Sequence, residues 1–439
     1  MERCSKAKRL QPDGVLSDDV LHNIVSWSDA QGLALWGLVC ATLRRRANLI
    51  AAERCRALLA GKCRAEMRML RRGASCTEFL FFLDVQRQRA VHWALVALDG
   101  ERHIAVVEQG GLLTCGNGVD GQLGRRVAPP FTQRTLTRAP MPPGNTIVAV
   151  AAGSAHTVAL TSAGDVFACG LNLDGQVGAN SDCSYFCAYF TRVEALFGTR
   201  VVHVSCANHS TAALTSTGRT WAWGRLVRSG EPDGGAAFPQ AQPPLVCDEL
   251  PAAQHLFITD TVLTLVTIDG QVCEHTPLHV GGRFLKTRCF AVTDAVCVTK
   301  TSVATGILTK EGGVQVLQDA GAGGGADEVA WLPVFPHPVA RLVAGKLHFI
   351  AMLRNGDVYS WGQNDDGELG HGGTAPKRQP TRVCIVSSGT HVRPLNGATS
   401  IAAGRRRSSV MLEGTPYVWG AGALRDDPLS TIPRPFERE

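Results

Sequence analysis

The stretch AAGSAHTVALTSAGDVFACGLNLDGQVG, Ala151 to Gly178, contains two short apolar runs, one histidine and a closing DGQVG. The runs His156 to Leu160 and Asp165 to Cys169 have strand length, and Thr-Ser-Ala-Gly between them is typical of a hairpin turn. A glycine in that turn adopts positive φ without a Cβ clash. The stretch therefore predicts a β-hairpin, and its histidine is either the start of an active site or part of a repeated unit.

Copies of this stretch recur about every 50 residues, so the repeated unit is the better interpretation. The glycines that open the second run of each copy are Gly110, Gly164, Gly218, Gly270, Gly312, Gly356 and Gly414. A G-x-x-H element ends at His103, His156, His209 (here C-x-x-H) and His348, and Arg407 replaces the histidine in the last copy. A D-G-[QE]-[LV]-G element begins at Asp120, Asp174 and Asp366. Such a period built from short strands predicts a β-propeller or a β-solenoid, and seven copies fit the roughly 4–8 blades of propellers.

The combined pattern resembles the regulator of chromosome condensation repeat family, and the copies beginning near Gly100, Gly153 and Gly345 carry nearly all of it. The resemblance implies an all-β, seven-bladed β-propeller. Exchange of guanine nucleotide on a small GTPase is an activity known in that family. It requires acidic or histidine residues on one face of the ring and a loop wedge, which the sequence alone does not locate.

The segment before the repeats has helical spacing of apolar residues. Ser17 can cap a first helix, and Asp18 and Asp19 suit its positive end. The segment is similar to the F-box, a small all-α module, although Ser17 stands where that motif has proline. The resemblance implies docking on a Skp-family adaptor of a cullin complex. The apolar anchors expected for that docking are Leu16, Val20, Leu21, Ile24, Leu33, Trp36, Val39 and Leu43.

These features divide the chain into five parts. The predicted boundaries are a basic tail at 1–14, an F-box-like module with its connecting helix at 15–72, a hairpin that joins or closes the ring at 73–98, the propeller at 99–425 and a C-terminal tail at 426–439.

The recurring side chains are expected to be structural. A catalytic residue is needed once, whereas His103, His156, His209 and His348 recur once per copy. We expect each ring to bond to a neighbouring strand or loop. Residues before the glycine that ends the second run are expected to pack between blades; these are Cys115, Cys169, Trp223, Trp361 and Trp419. Asp120, Asp174 and Asp366 are expected to serve the Asp-Gly turns.

Composition excludes several classes of function. A net charge of +6 over 439 residues is mild and does not imply nucleic acid. No signal peptide or membrane-length apolar run is expected. The 15 cysteines form no zinc spacing, and most are expected to be reduced, buried hydrophobes. Neither a cofactor nor a metal is expected, and the protein is expected to be a non-catalytic monomer within a complex in the cytoplasm or nucleus.

Function is expected where copies depart from the pattern. The insert Arg225 to Pro251 is rich in glycine and proline and is a candidate binding loop. The residues expected to form the partner face are Arg225, Arg228, Arg405, Arg406 and Arg407.

The hypothesis that explains both modules is a substrate-recognition subunit of an SCF-type ubiquitin ligase, with the propeller binding an unknown protein substrate. The alternatives are an exchange factor or regulator of a small GTPase, and a chromatin or phosphate-binding scaffold.

Overall fold

A computed structural model of the chain describes residues 96–99, 103–178, 185–227, 244–277, 284–318, 329–331, 335–386, 392–421 and 429–435. The chain separates into two compact units, Met1–Ala90 and Val91–Glu439, and the described residues all belong to the second. The fold below is the fold of that unit. The predicted F-box-like module lies outside the described residues.

Seven four-stranded antiparallel sheets form the described unit, and each is one blade of a propeller. Blades 1 to 3 contain β1 (Val96–Asp99), β2 (His103–Glu108), β3 (Gly111–Asn117), β4 (Thr132–Arg138), β5 (Ile147–Ala152), β6 (His156–Thr161), β7 (Val166–Leu171), β8 (Phe186–Arg192), β9 (Val201–Cys206), β10 (Ser210–Thr215), β11 (Thr220–Gly224) and β12 (Leu245–Val246). Two single-turn 3-10 helices, Glu194–Leu196 and Arg225–Val227, follow β8 and β11.

The remaining blades follow the same order, in which consecutive strands are hydrogen-bonded neighbours. Blades 4 to 7 contain β13 (Ala253–Ile258), β14 (Leu263–Thr267), β15 (Val272–Pro277), β16 (Phe284–Phe290), β17 (Ala295–Lys300), β18 (Ala304–Thr309), β19 (Val314–Gln318), β20 (Val329–Trp331), β21 (Val339–Ala344), β22 (His348–Leu353), β23 (Val358–Gly362), β24 (Lys377–Arg382), β27 (Ala398–Ala403), β28 (Arg407–Leu412), β29 (Thr415–Ala421) and β30 (Leu429–Pro435). A two-stranded hairpin, β25 (Cys384–Val386) and β26 (Val392–Pro394), lies between blades 6 and 7 in the sequence.

The glycines that defined the repeat occupy the turns between the second and third strands of the blades. All seven have positive φ, as the sequence predicted: Gly110, Gly164, Gly218, Gly270, Gly312, Gly356 and Gly414. Positive φ is costly for residues with a Cβ, which explains why a glycine occupies this turn even in the two copies that match the repeat least well, blades 4 and 5.

The ring closes where blade 7 meets blade 1. Each first strand packs beside the first strands of both neighbouring blades, and β27 packs beside β1. The structure corrects two predicted boundaries. The propeller already includes β1 at Val96, which is the inner strand of blade 1, and the expected tail at 426–439 contains β30, the outer strand of blade 7.

The hydrophobic core is divided among the seams between blades. One cluster of buried side chains joins blades 2 and 3 around Trp223, and another joins blades 6 and 7 around Trp419. Trp361 stacks on Phe349 between blades 5 and 6, with ring centroids 5.4 Å apart. Cys169 and Cys115 take the tryptophan position at the seams between blades 1 and 2 and between blades 7 and 1. The predicted packing of these five residues between blades is confirmed.

Candidate partner-binding face

Two kinds of turn meet on one face of the ring, which we call the loop face. One is the turn between the first and second strands of a blade, and the other is the turn after the third strand, which in blades 1, 2 and 6 contains Asp-Gly-Gln or Asp-Gly-Glu. They are joined within a blade by bonds such as Leu171 N–H to the Ala155 carbonyl, 2.8 Å. The glycine hairpins described above lie on the opposite side, which we call the hairpin face.

Histidines at the start of the second strand link each blade to the next beneath the loop face. His156 Nε2 lies 2.9 Å from the Thr211 hydroxyl, and that hydroxyl donates to the Gln176 carbonyl at 2.8 Å. Because the hydroxyl hydrogen is used on the carbonyl, Nε2 must carry the proton and donate. The same relay joins His103 to Thr157 and His348 to Ser408. The histidines are structural, as expected, although they reach the neighbouring backbone through a hydroxyl.

Burial keeps His156 and His348 neutral. Burial lowers the pKa of His156 to about 3 and that of His348 to about 4. The Trp223 and Trp419 indole N–H groups donate to the same carbonyls, those of Gln176 and Glu368, at 2.9 and 2.8 Å. Each of these turn carbonyls therefore accepts two hydrogen bonds from the next blade, which fixes the blade to its neighbour.

His209 departs from the recurring position. Ser210 is paired with Gly224 in the way that His156 is paired with Gly170, so Ser210 occupies the relay position of blade 3. His209 comes one residue earlier, in the turn on the loop face. The sequence alignment of Cys206-Ala-Asn-His209 with G-x-x-H was therefore displaced by one residue.

The displaced His209 forms an acidic cluster with carboxylates of two blades. Its Nδ1 lies 3.3 Å from Asp174 Oδ2, and its backbone N–H donates to Asp260 Oδ1 at 2.9 Å. Asp260 Oδ2 also accepts from the Asn208 amide at 2.7 Å. The Asp174 carboxylate raises the pKa of His209, and partial burial opposes that rise. The two carboxylates therefore favour the protonated form of this half-buried imidazole.

A second charged pair lies on the loop face at blades 6 and 7. The Arg406 guanidinium binds both carboxylate oxygens of Asp366 through Nε and Nη2. The Arg406 side chain is 45% exposed, so the pair contributes little to stability and is accessible to a partner. Arg405 beside it and Asp365 in the adjacent turn are exposed.

The structure separates the arginines that the sequence grouped. Arg225 is exposed in the 3-10 turn of blade 3, and its N–H donates to the His209 carbonyl at 2.9 Å. Arg405 and Arg406 lie on the same face but on blade 7. Arg407 does not belong to the predicted partner face, because its side chain is buried (5% exposed) at the relay position of blade 7. Its charge acts on Cys115 across the closing seam, where burial raises the pKa of that thiol to about 12.

Several of the predicted residues lie outside the described residues. They are Arg228, most of the insert 225–251, and the eight anchors Leu16, Val20, Leu21, Ile24, Leu33, Trp36, Val39 and Leu43. The part of the insert that is described includes β12, so the insert returns to pair with β11 in blade 3.

The sequence missed the carboxylates of the loop face. Asp174 and Asp366 were assigned to turns, and their turns are indeed closed by the side chains of Gln176 and Glu368, which accept from the aspartate N–H groups. Both carboxylates also reach the following blade, to His209 and Arg406. The recurrence of Asp-Gly with a charged residue in the next G-x-x-H element was the available signal.

Within the described residues, no group of three or more His, Cys, Asp or Glu side chains is arranged to hold a metal ion. No described helix is long and apolar enough to cross a membrane. Cys187 is disulfide-bonded, whereas eight other described cysteines are free, in line with the expectation that most are reduced.

Family models match the repeats found in the sequence. Models described as "Regulator of chromosome condensation (RCC1) repeat" match residues 109–160, 163–214 and 355–411, and a second model of that description matches 147–176 and 339–368. The chain carries RCC1 repeats. No F-box domain is detected.

Curated proteins with RCC1-like sequence include ligases and an exchange factor. The chain is 28% identical over 330 residues to human "E3 ubiquitin-protein ligase HERC2", covering 67% of this chain and 6% of that protein. It is 34% identical over 183 residues to "Protein pim1" of Schizosaccharomyces pombe, covering 40% of this chain and 33% of that protein. It is 26% identical over 310 residues to the bovine "Secretion-regulating guanine nucleotide exchange factor", covering 62% of this chain and 66% of that protein. The chain thus spans less than two thirds of each.

Solved structures support the RCC1-like propeller. Prp20p from Saccharomyces cerevisiae, whose structure was described with its binding to Gsp1p and histones, superimposes with a TM-score of 0.61 at 17% identity. The match covers 80% of this chain and 89% of Prp20p. Human WBSCR16 gives a TM-score of 0.57 at 18% identity, with 72% of this chain and 86% of that chain covered. At these identities the likeness concerns the fold.

Proposed function

We propose that this chain regulates a small GTPase, as an exchange factor or a related binding protein, through its loop face. The observation that carries the proposal is the cluster of His209, Asp174 and Asp260, together with the Asp366–Arg406 pair, on that one face. The resemblance to the regulator of chromosome condensation family implies that an exchange factor uses acidic and histidine residues on one face, and the residues of this cluster support the proposal on that ground.

The charges of the loop face suit a protein partner. Pairs that are partly exposed steer association and fix orientation without adding much to the stability of the free propeller. The name of the bovine relative states that it is an exchange factor, and Prp20p was described with its binding to Gsp1p. Both observations support this class of partner over the SCF substrate that the sequence favoured.

The experiment is a nucleotide-release assay with a panel of small GTPases loaded with fluorescent GDP. Asp365→Lys and Arg405→Glu change exposed side chains on the loop face. Asp248→Lys and Arg219→Glu are the matched controls, because that ion pair is exposed on the hairpin face. We expect the chain to accelerate release from one GTPase, the loop-face variants to lose at least tenfold of that acceleration, and the controls to keep it. Equal losses in both sets, or no response from any GTPase, would contradict the proposal.

The SCF adaptor is the second candidate, and the F-box-like spacing of Leu16 to Leu43 favours it. It is tested separately by capture of a Skp-family adaptor on the immobilised full chain. Specific capture that is lost in the double variant Leu21→Asp, Val39→Asp would support it, and it would not conflict with GTPase binding by the propeller. Equal capture by the double variant would refute it.

A further inference from the structure

Exposed large hydrophobic side chains are concentrated on two neighbouring blades. Among the described residues seven such side chains are exposed, and five of them belong to the connections between the third and fourth strands of blades 1 and 2 or to the outer strand of blade 2. Each of the five is 41 to 53% exposed. We call them the apolar patch: Val119, Phe131, Tyr185, Phe186 and Tyr189.

The apolar patch crosses the seam between blades 1 and 2. A Cβ on Gly121 would stand 3.0 Å from Phe186 Cδ2, so this ring of blade 2 packs on the Asp-Gly turn of blade 1. The rings of Tyr185 and Phe186 meet edge to face, with centroids 6.0 Å apart. Phe131 lies at the other end of the blade 1 turn, where its carbonyl accepts from the Gly118 N–H at 2.7 Å.

The turns themselves do not require aromatic residues. In blade 6, which also has an intact Asp-Gly turn, the register places Ala375 where blades 1 and 2 have Phe131 and Tyr185. Phe131 also has a φ of +59°, in the left-handed region that is costly for a residue with a Cβ. Exposed rings at these positions add little to the core, which indicates that they act on a partner outside the chain.

The apolar patch adjoins the charged cluster of the loop face. The Tyr185 carbonyl accepts from the Asn172 N–H at 2.8 Å, and this bond closes the turn that carries Asp174. Asp174 is the carboxylate that lies beside the His209 ring. Stable protein interfaces combine buried aromatic anchors with a polar and charged periphery. The charged cluster supplies such a periphery, and the apolar patch beside it supplies the anchors.

The size of the apolar patch suits the centre of a protein interface. About half of each side chain is exposed, so the patch offers on the order of 400 Å² of apolar surface. The largest apolar patches on monomers measure roughly 300–600 Å² and are often functional. A standard interface buries about 800 Å² on each partner, of which slightly more than half is apolar. The patch and the charged cluster together therefore match one partner-sized face.

We propose that the apolar patch is the docking anchor for a small GTPase that also contacts the charged cluster of the loop face. The inference rests on the function proposed above and adds the residues that hold the partner. The cluster has two carboxylates and one imidazole and is net negative, so the GTPase must present a basic residue beside its apolar contact. The Asp174 carboxylate repels phosphates, and Val119 offers no ring on which a base could stack, so a protein fits better than a nucleic acid.

Biolayer interferometry of the full chain on immobilised, nucleotide-free small GTPases tests the anchor, with the same panel as the release assay. Tyr185→Ser with Tyr189→Ser removes two exposed rings. Phe197→Ser is the matched control, because it removes an equally exposed ring that follows β8 at the hairpin face. We expect the double variant to dissociate at least tenfold faster and to associate within threefold of the wild-type rate, since anchors act after encounter. Phe197→Ser should change neither rate more than twofold.

A second variant keeps the test decisive if the double variant does not fold. Val119→Asp places a charge in the part of the patch that blade 1 contributes. The Val119 backbone N–H, which bonds to Asn117 Oδ1 at 2.9 Å, is unchanged by the substitution, so the turn is kept. We expect Val119→Asp to dissociate several-fold faster than the wild type.

The outcomes separate the anchor from the function on which it rests. If folded patch variants bind like the wild type while Asp365→Lys and Arg405→Glu lose binding, the anchor is overturned and the GTPase partner stands. If no GTPase binds the wild type, both are overturned. Sedimentation velocity and the anisotropy of a labelled single-stranded oligonucleotide examine other occupants. A dimer or an oligonucleotide complex that the double variant abolishes would assign the patch to that occupant and overturn the proposal.

Discussion

Gly153 and His156 form one unit of the blade motif because the histidine ring lies against the glycine. A Cβ on Gly153 would stand 2.1 Å from His156 Cε1 and 2.4 Å from the Ala207 carbonyl oxygen. Gly345 and His348 repeat the arrangement, with a Cβ 2.2 Å from the ring. In blade 3, where Ser210 replaces the histidine, Ala207 occupies the glycine position. The histidine ring therefore requires a glycine three residues before it, because any larger residue there would clash with the ring.

We expect Gly153→Ala to lower the free energy of unfolding by about 3 kcal/mol, since overpacking there forces the ring or the backbone to move. His156→Ala should cost about 2–3 kcal/mol, because it leaves a void and removes the donor to Thr211. Urea unfolding of both variants and their combination measures the coupling. The double variant should be less destabilised than the sum by about 1 kcal/mol, because only the clash with the Ala207 carbonyl oxygen remains.

The control for this cycle is Gly373→Ala, since a Cβ there meets no atom within 4 Å. It should change stability by less than about 0.5 kcal/mol. Strict additivity of Gly153→Ala and His156→Ala would show that the ring and the glycine are not coupled.

The strands and turns could be predicted from the sequence where the repeat motif is intact. They could not be predicted where strand register or packing between blades determines the structure. The hairpin glycines located every blade, because positive φ is a local requirement. The outer strand β30 was predicted to be part of the C-terminal tail. It contains Pro433 and Pro435, which are unusual in a central strand but are tolerated on an outer edge strand. The charged pairs of the loop face join different blades, and the displacement of His209 is a matter of strand register. Both depend on residues about 35 to 40 positions apart or on strand pairing, so a search for local turn and strand patterns does not reveal them.

Blade 4 carries a pair of cysteines directly opposite each other on its outer strands. Cys273 of β15 pairs with Cys289 of β16, and their sulfurs lie 2.7 Å apart, whereas a disulfide bond is about 2.05 Å. Cys289 is exposed and Cys273 is buried, and neither is in a disulfide. An oxidant can therefore reach Cys289 first, and Cys273 is positioned to complete the bond.

We expect a hydroperoxide to convert this pair into a disulfide. Cys289 is oxidised to a sulfenic acid with release of an alcohol, or of water from hydrogen peroxide, and the Cys273 sulfur then displaces water to form the S–S bond. Closing the intervening loop should stabilise blade 4 by up to about 3 kcal/mol. Peptide mass spectrometry after thiol blocking should find the linked peptides in the wild type and in the control Cys384→Ser, and their absence in Cys289→Ser. Overoxidation of Cys289 without linkage would contradict the expectation.

The whole ring depends on histidines that must stay neutral, and this sets the sign of its pH dependence. In an unfolded chain a histidine has a pKa near 6.5, whereas His156 and His348 have values of about 3 and about 4 in the propeller. Below pH 6.5 the unfolded chain binds protons that the folded ring excludes, so stability falls as the pH falls. His209 acts in the opposite sense, because its raised pKa adds stability that is complete below pH 6.5 and is lost as the pH rises through the folded value.

Between pH 7 and pH 5.5, His156 and His348 should together reduce the free energy of unfolding by about 2.5 kcal/mol, because each binds a proton in the unfolded chain near pH 6.5 and excludes it in the folded ring. Urea unfolding at the two pH values measures the loss. His156→Gln removes one buried imidazole, so its loss over this range should be smaller than that of the wild type by about 1 kcal/mol, even though the variant is less stable at both pH values. His209→Gln removes the opposing contribution, so its loss should be larger than that of the wild type. The prediction would be contradicted by a wild-type free energy of unfolding that does not change over this range, or by an equal loss in all three proteins. Either result would show that these histidines do not cause the loss of stability in mild acid.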